Sequence, residues 1–249
     1  MTDRSELRVI VSLCKSGSTA LIHSLAHADG VSCYMQTVKS GQRTHGTPDY
    51  GIYRQHHEGT ALGKETIGPR TLADCTLAVF PDDAAIRATR PVFLLRDPRD
   101  TWATWSRAGW GSLERFLTAY EHLLNLYDRA QALGVGTVFR YEAFGEDVER
   151  AFRELSAALG IGFTPDMIDW RLRFPDETPV IWRADVQADV DRGLSDSARR
   201  ATGFRYRRSP QSITPAARAA IEARVGRRYR QLVSRPQVIG SACPAADSA

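Results

Sequence analysis

Residues 9–19 read Val9-Ile10-Val11-Ser12-Leu13-Cys14-Lys15-Ser16-Gly17-Ser18-Thr19, an apolar run that stops at a lysine inside a loop of small residues. A helical pattern follows, with Leu21, Ile22, Leu25 and Ala26 on one face. Where a buried strand, a tight loop and a helix N-terminus meet, backbone N–H groups and the positive end of the helix dipole converge. The stretch therefore predicts a phosphate-binding loop near the start of the chain.

Strand-like runs alternate with helical patterns along the rest of the chain. Strands are predicted at Leu7–Leu13, Val31–Val38, Ala61–Ile67, Pro91–Leu95 and Gly136–Phe139. Helices are predicted at Thr19–Ala28, Leu72–Thr89 (broken near Pro81), Arg99–Arg107, Ser112–Leu133, Glu146–Leu159 and Pro215–Leu232. This alternation predicts a single α/β domain with a central parallel β-sheet flanked by helices. We expect that domain at residues 1–234 and a disordered C-terminal tail at residues 235–249.

The bulk composition narrows the class of protein. The chain has 249 residues and a net charge of +4, which does not by itself indicate nucleic acid but suits a small polyanionic ligand. The N-terminus has no apolar signal core, and no apolar run approaches the roughly 18–20 residues of a membrane span. The four cysteines have no CxxC spacing, and no metal-ligand cluster is apparent. We therefore expect a cytoplasmic protein that binds neither metal, membrane nor nucleic acid.

Lysine is rare in this chain. Of the 33 basic residues only three are lysines, namely Lys15, Lys39 and Lys64. Arginine is too broad where a compact point charge must enter a narrow site, which gives a reason to keep lysine there. Lys15 and Lys64 both end strand-like runs. We favour a functional role for Lys15, whereas for Lys64 chance survival of a lysine fits equally well.

A second motif follows a later strand and reads Arg96-Asp97-Pro98-Arg99-Asp100. Arg96 comes at the carboxyl end of a buried strand, where ligands bind in open α/β sheets. Pro98 suits the first position of the next helix, with Asp97 as its N-cap. Thr104 follows about two turns into that helix, within reach of the same anion as Arg96. The alternative is a structural Arg96 paired with Asp97 or Asp100.

Together the two motifs resemble the cytosolic-type and bacterial small-molecule sulfotransferases, which use 3′-phosphoadenosine 5′-phosphosulfate (PAPS). That family binds the 5′-phosphosulfate with a Pro-Lys-[Ser/Ala]-Gly-Thr-Thr loop, matched here by Cys14-Lys15-Ser16-Gly17-Ser18-Thr19. It binds the 3′-phosphate with Arg-x-Pro-x-Asp and a following serine, matched by Arg96–Asp100 and Thr104. The resemblance implies a P-loop NTPase-like sulfotransferase fold, PAPS as co-substrate, 3′-phosphoadenosine 5′-phosphate (PAP) as product, and no metal.

Two looser matches extend the resemblance to about residues 7–230. Phe139-Arg140-Tyr141-Glu142 matches a strand ending in Tyr-Glu and implies that Tyr141 hydrogen-bonds the adenine. Arg199-Arg200-Ala201-Thr202-Gly203 matches a loop over the 3′-phosphate, which adds Arg199, Arg200 and Gly203 to the donor site. The chain departs from the family at Cys14, where a proline is usual, and at Ala20, where many members have an adenine-stacking tryptophan. Stacking would then come from Phe204 or Tyr206.

The resemblance also implies roles in sulfuryl transfer. Lys15 would stabilise the bridging oxygen of the leaving phosphate, and residues Ser16, Gly17, Ser18 and Thr19 would hold the 5′-phosphate. The histidine base of many members is missing from Gly63-Lys64-Glu65-Thr66. Glu65 is therefore the leading candidate for the general base, with His45, His56 and His57 as alternatives. Histidine has the more suitable pKa, and glutamate would need burial to raise its own.

Other functions stay open at this point. A nucleotide-dependent small-molecule kinase would need a Mg²⁺-binding hydroxyl after the loop lysine; Ser16 supplies one, but the Gly-Lys context of that motif is missing. A non-catalytic polyanion binder could use the arginine-rich C-terminal half. For a sulfotransferase we expect a small hydroxylated or amine acceptor, with Trp110 and Trp182 as candidates to line its pocket. The composition hints at a bacterial natural-product pathway, and a homodimer is open.

Overall fold

The structure of the protein is a computed structural model that describes residues 6–35, 59–68, 79–171, 180–181, 201–208 and 213–234. The predicted tail at 235–249 lies outside these residues, and the domain boundary at 234 stays a prediction. In the part of the chain that the structure describes, no helix is both long enough and apolar enough to cross a bilayer.

The described strands form one parallel sheet, which confirms the predicted fold class. They are β1 (Glu6–Leu13), β2 (Val31–Met35), β3 (Thr60–Ile67), β4 (Val92–Leu95), β5 (Thr137–Arg140) and β6 (Val180–Ile181). Their order is β5-β4-β1-β3-β2-β6, and every neighbouring pair is parallel. The first five coincide with the predicted runs, although 36–38 of the second run lie outside the described residues. Strand β6 was not predicted, because two residues carry no periodic pattern.

Helices connect the strands and continue the chain after them. They are α1 (Ser18–Leu25), α2 (Asp83–Thr89), α3 (Pro98–Arg107), α4 (Leu113–Ala132), α5 (Ala143–Glu146), α6 (Val148–Leu159), α7 (Pro215–Ile221) and α8 (Arg227–Val233). A 3₁₀ turn spans Pro165–Met167, and a π-helical segment at Glu222–Gly226 joins α7 to α8. The predicted helix Pro215–Leu232 is therefore found with one wide turn inside it. Of the predicted Leu72–Thr89, residues 72–78 lie outside the described part.

Apolar side chains on both faces of the sheet explain why its strands read as nearly continuous apolar runs. On one face, alternate residues of β1 and β4 join the apolar side of α4 in one core cluster: Val9, Val11, Phe93, Leu95, Phe116, Tyr120 and Leu124. On the other face, the intervening residues join α1 and α6 in a second cluster: Ile10, Leu94, Phe139, Leu21, Ile22 and Phe152. The sheet is thus held between two helical layers.

Local signals set the helix that follows β4. The side chain of Asp97 accepts a hydrogen bond from the backbone N of Arg99 (2.8 Å), and Pro98 occupies the first turn of α3. This is the predicted cap, and α3 begins at Pro98, three residues after the strand ends at Leu95. Arg96 therefore lies in the two-residue link between β4 and α3.

The strand order brings the sequence motifs together. Strand β1 lies between β4 and β3, and β5 lies beyond β4. Because the strands are parallel, their carboxyl ends lie along the same edge of the sheet. The Lys15 loop, Arg96 and Tyr141 follow three adjacent strands at this edge. Lys64 and Glu65 lie within β3, on the other side of β1, three and two residues before the end of that strand.

Candidate active site

The loop of residues 14–17, called the candidate phosphate loop below, turns sharply between β1 and α1. Lys15 and Gly17 have left-handed backbones, with φ of 68° and 88°. Between them, Ser16 donates to the carbonyl of Leu13 through its backbone N (3.3 Å) and through Oγ (2.7 Å). Gly17 is the N-cap of α1 and makes no side-chain capping bond. The first-turn N–H groups of α1 thus form the kind of helix N-terminus that binds anions.

Gly17 lies directly against the ring of Tyr141. A Cβ built on Gly17 would lie 2.4 Å from Cε2 of that ring. Tyr141 is only 4% exposed, and its backbone N donates to the carbonyl of Leu95 (2.8 Å), which continues the pairing of β5 with β4. Burial raises the pKa of the Tyr141 phenol, and the charge of Arg96 and the backbone N–H of Arg207 partly offset this. The buried Tyr141 ring therefore packs against the candidate phosphate loop at Gly17.

Arg96 ties the candidate phosphate loop to a segment far along the chain. Its Nη1 donates to the carbonyl of Lys15 and its Nη2 to the carbonyl of Arg207, both at 2.9 Å. Its guanidinium carbon lies 4.9 Å from the centroid of the Tyr141 ring, within cation–π range. The carbonyl of Arg96 accepts a hydrogen bond from the hydroxyl of Tyr120 (2.7 Å). Asp97 pairs with Arg99 (2.6 Å). The alternative of a structural Arg96 paired with Asp97 or Asp100 stays a prediction.

Two further predicted donor residues have partners of their own. Thr104 lies on α3, and its hydroxyl donates to the carbonyl of Asp100 (3.1 Å), one helical turn earlier. Gly203 is buried, and a Cβ there would lie 2.5 Å from the carbonyl oxygen of Ile168. Gly203 thus permits a close antiparallel bridge to Asp169. Two backbone hydrogen bonds flank this bridge, from Phe204 N to Ile168 O (2.7 Å) and from Trp170 N to Thr202 O (3.1 Å). Their contacts with a donor stay predictions.

Lys64 reaches the first turn of α1 from β3. It pairs in register with Ile10 of β1 and Met35 of β2, and it is 2% exposed. Its Nζ lies 3.5 Å from Oγ1 of Thr19 and 3.8 Å from the sulfur of Met35. A second lysine ammonium thus lies beside the predicted phosphate-binding residues. The rarity of lysine in the chain was the sequence feature that drew attention to Lys64, and the register of β3 with β1 and β2 places its side chain beside α1.

Glu65 lies on the opposite face of the sheet from Lys64. It pairs with Val11 of β1 and is 1% exposed. Successive residues of a strand alternate between the two faces, so Glu65 faces the layer of α4 whereas Lys64 faces that of α1. Its role as a general base stays a prediction. The alternatives His45, His56 and His57 lie outside the described residues, as do Arg199 and Arg200.

Trp110 lies beside the candidate phosphate loop. Nζ of Lys15 is 4.4 Å from the centroid of its ring. Trp105, in the last turn of α3, is fully buried and donates through Nε1 to the carbonyl of Trp110 (2.9 Å). Trp102 packs against Phe116 at the edge of the core cluster. Trp182 lies outside the described residues.

The two residues suggested for adenine stacking differ in their surroundings. Phe204 is 2% exposed and is enclosed by the rings of Phe144 (4.6 Å) and Phe152 (5.1 Å). Tyr206 is half-buried, with its ring 5.3 Å from that of Tyr141. Phe204 is thus a core residue, which leaves Tyr206 as the more accessible ring.

Glu142 has a part in the site that the sequence did not predict. Its Oε1 accepts from the backbone N of Asp97 (2.8 Å), and its Oε2 accepts from the hydroxyl of Tyr229 on α8 (2.9 Å). Burial raises the pKa of Glu142 above its ordinary value, an effect that these hydrogen bonds partly offset. Glu142 thus anchors the Arg96 link to the last helix. The resemblance of the Tyr-Glu pair implies a role for the tyrosine alone, because the contacts of the glutamate are to residues far along the chain.

Comparisons with known proteins identify the fold. Neither protein-family models nor curated protein sequences give a match. The crystal structure of mouse sulfotransferase SULT7A1 complexed with PAP is similar with a TM-score of 0.52 at 13% identity, covering 95% of this chain and 86% of that one. The sulfotransferase domain from the curacin biosynthetic pathway has a TM-score of 0.48 at 11% identity, covering 95% and 100%. The chain has the fold of the mouse sulfotransferase, as its sequence predicted.

Proposed function

We propose that this protein is a sulfotransferase that transfers a sulfuryl group from PAPS to a hydroxyl or amine of a small-molecule acceptor. The observation that carries the proposal is the meeting of Lys15, Arg96 and Tyr141 at the carboxyl ends of β1, β4 and β5, in a chain with a sulfotransferase fold. The solved mouse enzyme was complexed with PAP, which makes PAP the first ligand to test.

The residues of the candidate phosphate loop suit the 5′ end of such a donor. Two left-handed residues shape the loop, and the first-turn N–H groups of α1 supply donors without adding charge that must be neutralised. Lys15 in the loop and Lys64, whose Nζ lies 3.5 Å from Oγ1 of Thr19, supply compact positive charges. Phosphate oxygens favour such a set of donors.

In the proposed reaction, PAPS supplies the sulfuryl group: its bond from sulfur to the bridging oxygen breaks as the acceptor oxygen or nitrogen bonds to sulfur. Lys15 would stabilise the negative charge that develops on the bridging oxygen. Glu65, His45, His56 or His57 would take the acceptor proton. Arg96, Thr104 and Arg200 would hold the 3′-phosphate, which fixes the donor in line.

Isothermal titration with PAP tests the proposal directly. We expect wild-type protein to bind PAP, and binding to weaken by at least about tenfold in Lys15→Ala and in Arg96→Ala, since each removes a charged donor. Arg129→Ala is the matched control, because Arg129 pairs with Asp83 on the surface, away from the loop. Unchanged binding in both site variants would overturn the proposal. Turnover of ATP with Mg²⁺ instead of PAPS would favour the kinase alternative.

A further inference from the structure

The indole of Trp110 has no part in the chemistry proposed above, yet it lies over the amine of the key lysine. Nζ of Lys15 is 4.4 Å from the ring centroid, inside the roughly 6 Å over which an aromatic face attracts a cation. Both side chains are half-buried, so solvent screens the contact only in part. The carbonyl of Lys15 is fixed separately by Arg96 (2.9 Å). Backbone and ammonium of Lys15 are thus each held by a different partner.

The backbone of Trp110 is held by contacts that do not involve Lys15. The backbone N of Trp110 donates to the carbonyl of Trp105 (3.3 Å), and Nε1 of Trp105 donates to the carbonyl of Trp110 (2.9 Å). Gly109 and Gly111, with φ of 65° and 120°, allow the chain to turn back over the end of α3 on both sides of Trp110. Trp105 is fully buried, and its ring packs edge-on against that of Trp110 with 5.9 Å between the centroids, so a core residue also contacts the indole.

We propose that Trp110 is a positioning residue for Lys15, which holds the ammonium at the candidate phosphate loop so that the side chain is ordered before a phosphate binds. A lysine side chain loses rotamer freedom when its ammonium is fixed by an anion, and a side chain that is already ordered loses less. The effect on affinity rests on the proposed function, in which Lys15 contacts the donor. The contact between Lys15 and the Trp110 indole is independent of that function.

Nuclear magnetic resonance of the lysines tests the contact without any donor. The chain has only three lysines, so ¹³C-labelled lysine gives three side-chain signals, and Lys15→Arg identifies the one that belongs to Lys15. In wild-type protein we expect the Lys15 Hε protons to be shifted upfield by the ring. Trp110→Leu removes the shift and Trp110→Phe retains part of it. A Lys15 signal that is the same in wild type and Trp110→Leu overturns the inference.

A double-mutant cycle with PAP tests the positioning role. We expect Trp110→Leu to weaken PAP binding about threefold to tenfold, the range of a partly desolvated cation–π contact. In a Lys15→Met background the same change has no further effect, because Trp110 then has no ammonium to hold. Equal weakening in both backgrounds means that Trp110 acts on the site independently of Lys15, and overturns the inference.

Trp102→Leu is the matched control, because that indole packs on Phe116 and not on Lys15. We expect it to leave the Lys15 signal in place, and thermal melting of each variant shows whether it is folded. If wild-type protein does not bind PAP, the proposed function fails, and the lysine spectra still decide whether Trp110 holds Lys15. Should Trp110→Leu not fold, Trp110→Phe carries both measurements.

Discussion

Gly17 and the ring of Tyr141 are in such close contact that a single added carbon would not fit: a Cβ on Gly17 would lie 2.4 Å from Cε2 of Tyr141. Gly17 also has a φ of 88°, which L-residues with a side chain rarely adopt. The candidate phosphate loop can therefore approach the end of β5 only with glycine at this position. The shape of the candidate phosphate loop and its packing against Tyr141 therefore both depend on Gly17.

Gly17→Ala should destabilise the protein and abolish PAP binding, because the backbone strain and the clash with Tyr141 act together. Gly134→Ala is the matched control: it has a φ of 74°, and an added Cβ would meet nothing within 4 Å. We expect the control to cost about 1 kcal/mol in the free energy of unfolding, and Gly17→Ala about 3 kcal/mol or more. Urea unfolding measures both. Equal losses would mean that the Tyr141 contact does not constrain the loop.

Arg96→Lys should weaken PAP binding although it keeps the positive charge. Lysine cannot donate to the carbonyls of Lys15 and Arg207 with the two ends of a planar group, as the Nη1 and Nη2 of Arg96 do. Arg96 is only 7% exposed, so the loss of its two charge-assisted hydrogen bonds should lower the free energy of unfolding by about 2–4 kcal/mol. Urea unfolding and titration with PAP check the two effects. A variant with wild-type stability and affinity would show that charge alone is needed at this position.

The fold was predictable because its signals are local. The strands at Leu7–Leu13 and Pro91–Leu95 carry apolar runs, and Asp97 with Pro98 specifies where α3 begins. Parallel strand order then places the residues after β1, β4 and β5 at one edge, so the order of the motifs predicts their meeting. The two-residue β6 and the π-helical segment at Glu222–Gly226 have no such pattern and were missed.

The missed features of the site depend on contacts between distant parts of the chain. The Lys64 ammonium meets Thr19 only because β3 pairs with β1 in one particular register. The carboxylate of Glu142 accepts hydrogen bonds from the backbone N of Asp97, 45 positions earlier, and from the hydroxyl of Tyr229, 87 positions later. Periodicity and capping signals reach a few residues along the chain, so they carry no information on such pairs.

Lys64→Met should weaken PAP binding by about tenfold or more, because it removes a charged donor beside the first turn of α1. Thr19→Val should weaken it too, by removing the hydroxyl that lies 3.5 Å from Nζ. The two residues are in contact, so the double variant should lose less affinity than the two single losses together. Calorimetric titration of the four proteins gives the coupling. Strict additivity would show that Lys64 and Thr19 do not act on one phosphate.

Glu142 should make the protein less stable as the pH rises. Burial raises the pKa of this carboxyl above its ordinary value of 4.5, so the folded state holds a proton that the unfolded chain has lost. Between the ordinary and the raised pKa the folded state binds more protons, and the free energy of unfolding therefore falls with increasing pH. Glu142→Gln, which cannot ionise, should remove this fall.

Tyr229→Phe should enlarge the fall in the free energy of unfolding with pH, whereas Glu142→Gln should remove it. The hydroxyl of Tyr229 donates to Oε2 of Glu142 (2.9 Å), and this bond lowers the pKa of the carboxyl. Its loss raises that pKa further, so the fall in stability extends to higher pH and becomes larger. Urea unfolding at a series of pH values above 4.5 compares wild type with both variants. If Glu142→Gln retains the wild-type slope, groups other than Glu142 cause it, and the buried carboxylate is paired more fully than its two hydrogen bonds indicate.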